Sequence, residues 1–248
     1  MDTFFQWFRV LYDNTGINLT IFYDEFDRVR FIDGLFTTIE LSAVCLVASA
    51  LIGIVGAWLQ GSKLVWTRRI VQGYIQFFRN TPPLVQMYFF FFGIAVLLPT
   101  MENEFGFPQP LVSSFTWAAI SLSFFFGAFN VEIFRSGIEA VPEATVEAAE
   151  ALGYSRLQAY IYVVLPLAFR ICLSSLNNNN VNLIKTTTLA YAIAVPELLY
   201  VSNQIWSDSV NVPEMMTVIL LTYVGLVGIL IWAMHLWEKK LRMPGYSV

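Results

Sequence analysis

The chain alternates between long apolar stretches and short segments that carry most of its charge. Five stretches are long enough, or nearly so, for the roughly 20 residues that a helix needs to cross the hydrocarbon core of a bilayer. They are residues 35–59, 70–98, 114–134, 167–189 and 215–237. Their apolar runs are continuous, whereas the strands of a spanning β-barrel alternate apolar and polar residues. The pattern therefore predicts an all-α polytopic membrane protein with five transmembrane helices.

Composition and charge support this interpretation and predict an orientation. Apolar residues make up 57% of the 248 residues, more than in a typical soluble domain. Basic residues collect in the connections 60–69 and 135–170 and in the tail after residue 238, whereas the connections 99–113 and 200–214 carry only acidic charges. Because cytoplasmic loops are rich in Lys and Arg, this alternation predicts an external N-terminus and a cytoplasmic C-terminus.

The first 33 residues form a separate N-terminal segment, which the charge pattern places outside. Aromatic residues alternate there with charges, so the uninterrupted apolar core of a cleavable signal peptide is missing. The segment can instead lie in the membrane interface as a short amphipathic helix. No repeat or linker divides the chain further, so we expect one transmembrane domain over residues 1–248.

The connection between the third and fourth spans, residues 135–166, has the pattern of helix, turn and helix. Pro142 suits the first position of a helix, and Gly153 suits its C-terminal stop. Ser155 is a good N-cap for a second short helix, residues 156–164, which Pro166 is expected to end. We therefore expect two short helices beneath the membrane.

A sequence motif lies within this connection. Glu147-Ala148-Ala149, Gly153 and Val163-Val164-Leu165-Pro166 have the spacing E-A-A, three residues, G, nine residues, I-x-L-P, with Val163 in place of Ile. This resembles the EAA loop of permease subunits of ABC importers. The resemblance implies a type I ABC importer permease (MetI-like) fold. It also implies that residues 151–162 form a coupling helix, which seats in a groove of a separate ATPase subunit. The coupling residues would be Glu147, Ala148, Ala149, Gly153, Tyr154, Leu157 and Tyr160.

Three further segments resemble the polar amino acid permeases, which handle histidine, arginine, glutamine or glutamate. Residues 79–86 are similar to R-G-T-P-L-L-V-Q, residues 128–137 to A-Y-T-A-E-I-F-R-G-G, and residues 182–189 to N-L-L-K-D-T-S-L. The resemblance implies import of a polar L-amino acid. Acidic substrates such as glutamate or aspartate are favoured, because residues 79–80 and the tail 240–245 look most similar to that type. Basic or amide amino acids and opines remain alternatives.

Charged and amide groups at bilayer depth indicate an interior lined by protein or water, since each charge costs about 2.5 to 3.5 kcal/mol at a helix centre. Glu132 and Lys185 can pair with each other or contact the substrate. The amide run 177–180 can line a path or bond helix to helix, and Glu197 is a further charge in the bundle. The predicted substrate path comprises Asn130, Glu132, Asn178, Asn179, Asn182, Lys185, Thr187 and Thr188.

The segment Arg79, Thr81 and Pro82 interrupts the second span. Proline removes a backbone donor and kinks or breaks a helix. Such a break is tolerated in a membrane where it lines a cavity or packs against protein. The segment is therefore either a gate or hinge, or simply a helix boundary.

Several features that other functions need are missing from the sequence. Residues 56–63 resemble a P-loop only superficially, because the Ser and Lys stand in the wrong order. We therefore expect no enzyme activity, cofactor, metal or nucleic acid in this chain; ATP and Mg²⁺ would be bound by the partner ATPase. A periplasmic binding protein and a second permease, identical or homologous, are the other expected partners. A secondary transporter would show inverted repeats, and a membrane enzyme would need more than the single His235.

Overall fold

The structure is a computed structural model that describes residues 2–102 and 105–241; part of the tail segment 240–245 lies outside these ranges. Helices dominate. The first half contains α1 (Asp2–Thr15), α2 (Thr20–Tyr23), α3 (Glu25–Gln60), α4 (Val65–Asn80) and α5 (Pro83–Tyr88), which continues as a π-helical and a 3-10 turn to Leu97. A short antiparallel hairpin follows, with β1 (Thr100–Glu102) and β2 (Pro108–Pro110). The second half contains α6 (Ser114–Glu139), α7 (Glu143–Ala151), α8 (Arg156–Ala159), α9 (Leu165–Thr186), α10 (Leu198–Ser209) and α11 (Val212–Leu241).

Each of the five predicted stretches is mainly helical, although the second is broken. Within the described residues, four helices are long and apolar enough to cross a membrane, and α4 with the helix that starts at Pro83 makes a fifth if the pair is one span. The two parts of that pair are bent by 108°. The all-α polytopic prediction is confirmed. The helix that contains the first span begins before residue 35, because α3 runs from Glu25 without a break.

The chain divides into two compact units, each built from separate parts of the sequence. One comprises Met1–Val44, Met87–Ile120 and Ile184–Gly228, and the other comprises Cys45–Gln86, Ser121–Leu183 and Ile229–Val248. The single domain over residues 1–248 stays a prediction.

In the first unit, the N-terminal segment is tied to the turn between α10 and α11. The backbone N–H of Asn18 donates to Glu214 Oε1 at 3.0 Å, and the side chain of Asn211 donates to the Asn18 carbonyl at 2.9 Å. In the same unit, Ile21, Ile205 and Met215 are part of a buried apolar cluster. The segment is therefore a packed part of the unit.

In the second unit, small residues bring α3 close to α6. A Cβ added at Gly56 would lie 2.3 Å from Val131 Cγ2, and one added at Gly53 would lie 2.5 Å from Asn130 Cβ. Neither distance is sterically possible, so both positions require glycine for this packing. Close approach through small residues is how helices associate in a bilayer, where apolar side chains gain little by leaving lipid.

Candidate functional site

The predicted turn in the EAA loop is formed by backbone hydrogen bonds around Gly153. Its φ of +92° is a conformation that glycine adopts without a steric penalty. The Gly153 N–H donates to the Glu150 carbonyl at 3.0 Å, and the Tyr154 N–H donates to the Ala149 carbonyl at 3.1 Å. This pair of bonds is a Schellman motif. The predicted glycine stop of α7 is confirmed, and Pro142 is the N-cap of α7, one position before its first helical residue.

The second helix of the loop starts as predicted but does not end at Pro166. Ser155 and Gln158 form a reciprocal capping box at the start of α8. The helix then continues through a π-helical turn, Tyr160–Val164, directly into α9. The predicted stop is therefore wrong. Pro166 lies in the first turn of α9, just after the wider π-helical turn, where its missing N–H is tolerated.

The implied coupling helix, residues 151–162, is likewise shorter than expected. Residue 151 ends α7, and residues 152–155 form the turn, so helix resumes only at Arg156.

The loop exposes an apolar patch. Leu152 is 81% exposed, Leu157 67% and Tyr154 42%; these three residues are called the loop patch below. Glu147 and Ala148 are also exposed, whereas Ala149 is buried. The sequence analysis did not include Leu152, although its position directly before the helix-ending Gly153 places it at the turn.

Tyr160 does not belong to the loop patch. It packs against a buried apolar cluster that includes Val141, Val164 and Ala168. It is therefore a poor candidate for an outward anchor, contrary to the prediction. A cavity of about 570 Å³ adjoins this cluster and is lined by Ile138, Val146, Arg156 and Leu157 among others.

Part of the predicted substrate path forms one exposed polar face of α9. Asn178, Asn182 and Lys185 are exposed, and their spacing of four and three residues places them on the same side of a helix. Thr188 is half-buried in the 3-10 turn that follows α9. Ser174, one turn before Asn178, extends this polar face.

Other predicted path residues are buried and bonded to protein. The Asn179 side chain donates to Asn130 Oδ1 at 2.8 Å, and the Asn130 side chain donates to Ser49 Oγ at 3.2 Å. Thr187 is fully buried, and its hydroxyl donates to the Ile184 carbonyl. Asn130, Asn179 and Thr187 therefore do not line a path in this structure. The two asparagines join α3, α6 and α9.

Glu132 is paired with Arg79. The Arg79 guanidinium forms an ion pair with the Glu132 carboxylate and lies 5.1 Å above the Phe129 ring. Lys185 forms no salt bridge with a described acidic side chain. The guanidinium that α4 places beside this carboxylate is a partner that the sequence analysis did not predict, and a pair of Glu132 with Lys185 stays a prediction.

The break at Thr81 and Pro82 is capped by a side chain that the sequence analysis did not single out. Gln86 is buried, and its amide donates to the Phe78 carbonyl at 2.9 Å and to the Thr81 carbonyl at 3.0 Å. Its nitrogen also lies 2.5 Å from Thr81 Oγ1. Carbonyls freed by the proline break thus find a donor, which satisfies the requirement for bonded backbone at membrane depth.

Glu197 acts as a helix cap. Its fully buried carboxylate accepts hydrogen bonds from the backbone N–H groups of Leu199 and Tyr200, at 3.0 and 2.8 Å. The Tyr223 hydroxyl donates to the same carboxylate at 3.0 Å. This side chain is therefore used for structure at the start of α10.

Comparison with known proteins agrees with the motifs. Residues 49–243 match the family described as binding-protein-dependent transport system inner membrane component. The chain is 32% identical over 210 residues, 83% of its length, to the probable amino-acid ABC transporter permease protein PatM of Vibrio harveyi, and covers 89% of that protein. Further relatives are named as permeases for histidine/lysine/arginine/ornithine, for glutamine and for glutamate/aspartate.

Two solved structures show the same fold. A crystal structure of an amino acid ABC transporter with histidines superposes with a TM-score of 0.75 at 26% identity, covering 86% of this chain and 94% of that chain. An inward-facing structure of the MetNI methionine ABC transporter gives 0.67 at 16% identity, covering 89% and 100%. The first supports both fold and family, and the second shows the MetI-like fold alone. The chain therefore belongs to the inner membrane components of binding-protein-dependent transport systems, as an ABC transporter permease subunit of the amino acid type.

Proposed function

We propose that this permease imports a polar L-amino acid into the cytoplasm, driven by ATP hydrolysis in a separate ATPase subunit. The observation that carries the proposal is the geometry of the EAA loop. A glycine turn and a capping box hold the loop patch outward at the start of a helix. Exposed leucine and tyrosine side chains on a rigid turn suit insertion into a groove on a partner protein.

The last part of the EAA loop, from Arg156, and the polar face of α9 lie on one continuous helix. Helical backbone runs from Arg156 to Ile193 without a break. A displacement imposed on the loop by the ATPase would therefore move Asn178, Asn182 and Lys185 with it. This is a physical route by which ATPase closure drives alternating access, with ATP and Mg²⁺ bound by the ATPase.

The polar face suits an amino acid substrate. The Lys185 ammonium complements a carboxylate, and the amides of Asn178 and Asn182 can both donate and accept hydrogen bonds. A polar face exposed at membrane depth also requires cover, since polar groups facing lipid are costly. A second permease, identical or homologous, would supply that cover.

An acidic substrate such as glutamate or aspartate is favoured. Lys185, the charged residue of this face, forms no salt bridge with a described acidic side chain, so its ammonium group can pair with a substrate carboxylate. Basic or amide amino acids and opines are the second candidates, since named relatives include permeases for basic amino acids and glutamine. A secondary transporter is the least favoured, because it leaves the EAA loop without a purpose.

The proposed orientation has the N-terminus outside and the C-terminus in the cytoplasm. It puts the basic connections on the cytoplasmic side, as the charge rule requires. A periplasmic amino acid-binding protein would then deliver substrate from the opposite side, where β1 and β2 lie between the second and third spans.

Substrate-stimulated ATP hydrolysis by the reconstituted permease, ATPase and binding protein tests this function. Polar amino acids are screened with wild type, with Glu147→Lys and with the matched charge reversal Asp13→Lys on α1. We expect one amino acid class to stimulate hydrolysis, Glu147→Lys to abolish that stimulation and Asp13→Lys to leave it intact. Uptake without any ATPase subunit would refute the proposal.

A further inference from the structure

A second cavity, of about 1140 Å³, opens between the end of α3, the start of α4 and the end of α6. Its charged lining residues are Arg68, Arg69, Arg135 and Glu139, and its apolar lining residues include Leu59, Leu64 and Val65. It is distinct from the polar face of α9. Tyr160 also lines it, so the cavity opens on the same side as the EAA loop.

The cavity carries excess positive charge. Glu139 accepts a hydrogen bond from Arg135 Nε at 2.7 Å, so this pair is neutral. Neither Arg68 nor Arg69 forms a salt bridge with a described acidic side chain. The sequence contains no acidic residue between Glu40 and Glu102, so no nearby carboxylate on α3 or α4 balances the two arginines.

The backbone at the start of α4 adds to this positive potential. The N-cap Leu64 makes no side-chain cap hydrogen bond, and the first turn contains no acidic residue. The N–H groups at this end of a 16-residue helix therefore favour an anion. Arginine side chains form strong hydrogen bonds with phosphate oxygens, so the charge of this cavity suits a phosphate group.

Exposed apolar side chains flank the arginines. Trp58 and Leu64 line the cavity and are 71% and 68% exposed. Trp66 is not a lining residue, but it is 74% exposed and its ring lies 5.6 Å below the Arg69 guanidinium. Tryptophan side chains concentrate at the level of lipid headgroups, where one part of the ring is wet and the other apolar. Apolar side chains do not stabilise a free anion, whereas a phospholipid presents both a phosphate for the arginines and acyl chains for the apolar side chains.

We propose that this cavity binds the phosphate of an anionic phospholipid, such as phosphatidylglycerol, through Arg68 and Arg69. Trp58 packs against the glycerol and upper acyl region, and Leu59, Leu64 and Val65 form the apolar wall. Assignment to the cytoplasmic leaflet rests on the proposed orientation, but the binding site itself does not.

Lipid retention by the full-length permease tests the site independently of transport. The protein is purified in detergent, exposed to equal amounts of palmitoyl-oleoyl phosphatidylglycerol and phosphatidylcholine, and examined by native mass spectrometry. We expect selective retention of phosphatidylglycerol. The double variant R68Q/R69Q should weaken it about 25-fold, since each arginine near an anionic surface contributes a factor of about five.

Two matched variants separate charge at this site from folding and from charge in general. R68K/R69K keeps both charges and should retain most of the binding. K239Q/K240Q removes two charges from the end of α11, outside the cavity, and should leave retention unchanged.

Three outcomes would overturn the proposal. Equal retention of both lipids by wild type and R68Q/R69Q would show that the cavity does not select an anionic headgroup. Displacement of phosphatidylglycerol by an equimolar amount of inorganic phosphate would assign the site to the free ion. Loss of the lipid when the ATPase subunit is added would assign this surface to the protein partner.

Discussion

The side-chain amide of Asn179 donates a hydrogen bond of 2.8 Å to the side-chain oxygen of Asn130, joining α9 to α6 inside one unit. Asn130 in turn donates to Ser49 on α3. Asn178, the neighbouring amide, is exposed on the polar face instead. Adjacent residues of one chemical type therefore have different surroundings, and we expect the two predicted roles of the asparagine run to divide between them.

This division predicts different phenotypes for two neighbouring substitutions. Asn179→Ala should lower the free energy of unfolding by about 0.6 to 1.7 kcal/mol, since that is the range for interhelical hydrogen bonds in a membrane. Asn178→Ala should leave stability nearly unchanged and reduce transport. Thermal unfolding in detergent and uptake into liposomes measure the two effects. Equal loss of stability in both variants would contradict the division.

The Arg79–Glu132 pair predicts an energetic coupling that Lys185 does not share. Both side chains of the pair are more than a third exposed, at 39% and 38%, so the coupling should be at most about 1 kcal/mol. A double-mutant cycle with Arg79→Gln and Glu132→Gln, followed by thermal unfolding, measures it. The same cycle with Lys185→Gln in place of Arg79→Gln should be additive; coupling there would restore the original Glu132–Lys185 pairing.

The positive φ of Gly153 predicts that Gly153→Ala impairs coupling between the permease and the ATPase while the spans stay intact. Alanine at a φ of +92° should destabilise the turn by about 1 to 2 kcal/mol, although nothing lies within 4 Å of its added Cβ. Substrate-stimulated ATP hydrolysis should fall while the helical content stays the same. Gly73→Ala is the control, because that position on α4 is equally open and has no positive φ. It should leave activity unchanged, and a similar loss in both variants would argue against a role for the turn.

The hydrogen bonds of Gln86 predict that this one side chain stabilises the break in the second span. Gln86→Leu leaves the Phe78 and Thr81 carbonyls without this buried donor, and each unsatisfied buried group costs about 1 to 3 kcal/mol. We expect a lower unfolding temperature by circular dichroism. Gln76→Leu, at an exposed position on α4, should change the unfolding temperature little. An unperturbed Gln86→Leu variant would show that the break is held by other contacts.

The sequence alone determined the features that depend on local chemistry. Long apolar runs predict spans because a bilayer requires about 20 apolar residues for each crossing. Gly153 and Ser155 predict a stop and a start because their local conformations and hydrogen bonds suit helix ends. The EAA motif is also local, because all of its residues lie in one connection, so the sequence was enough to identify the family.

Only the tertiary structure decided which polar groups meet. In a bilayer both the lipid-facing and the protein-facing sides of a helix are apolar, so periodicity does not tell which side is buried. The sequence therefore could not show that Asn179 points inward and Asn178 outward, nor that Arg79 takes the carboxylate of Glu132. The helix also continues past Pro166, because a π-helical turn and the packing of Val164 and Ala168 outweigh a local stop signal.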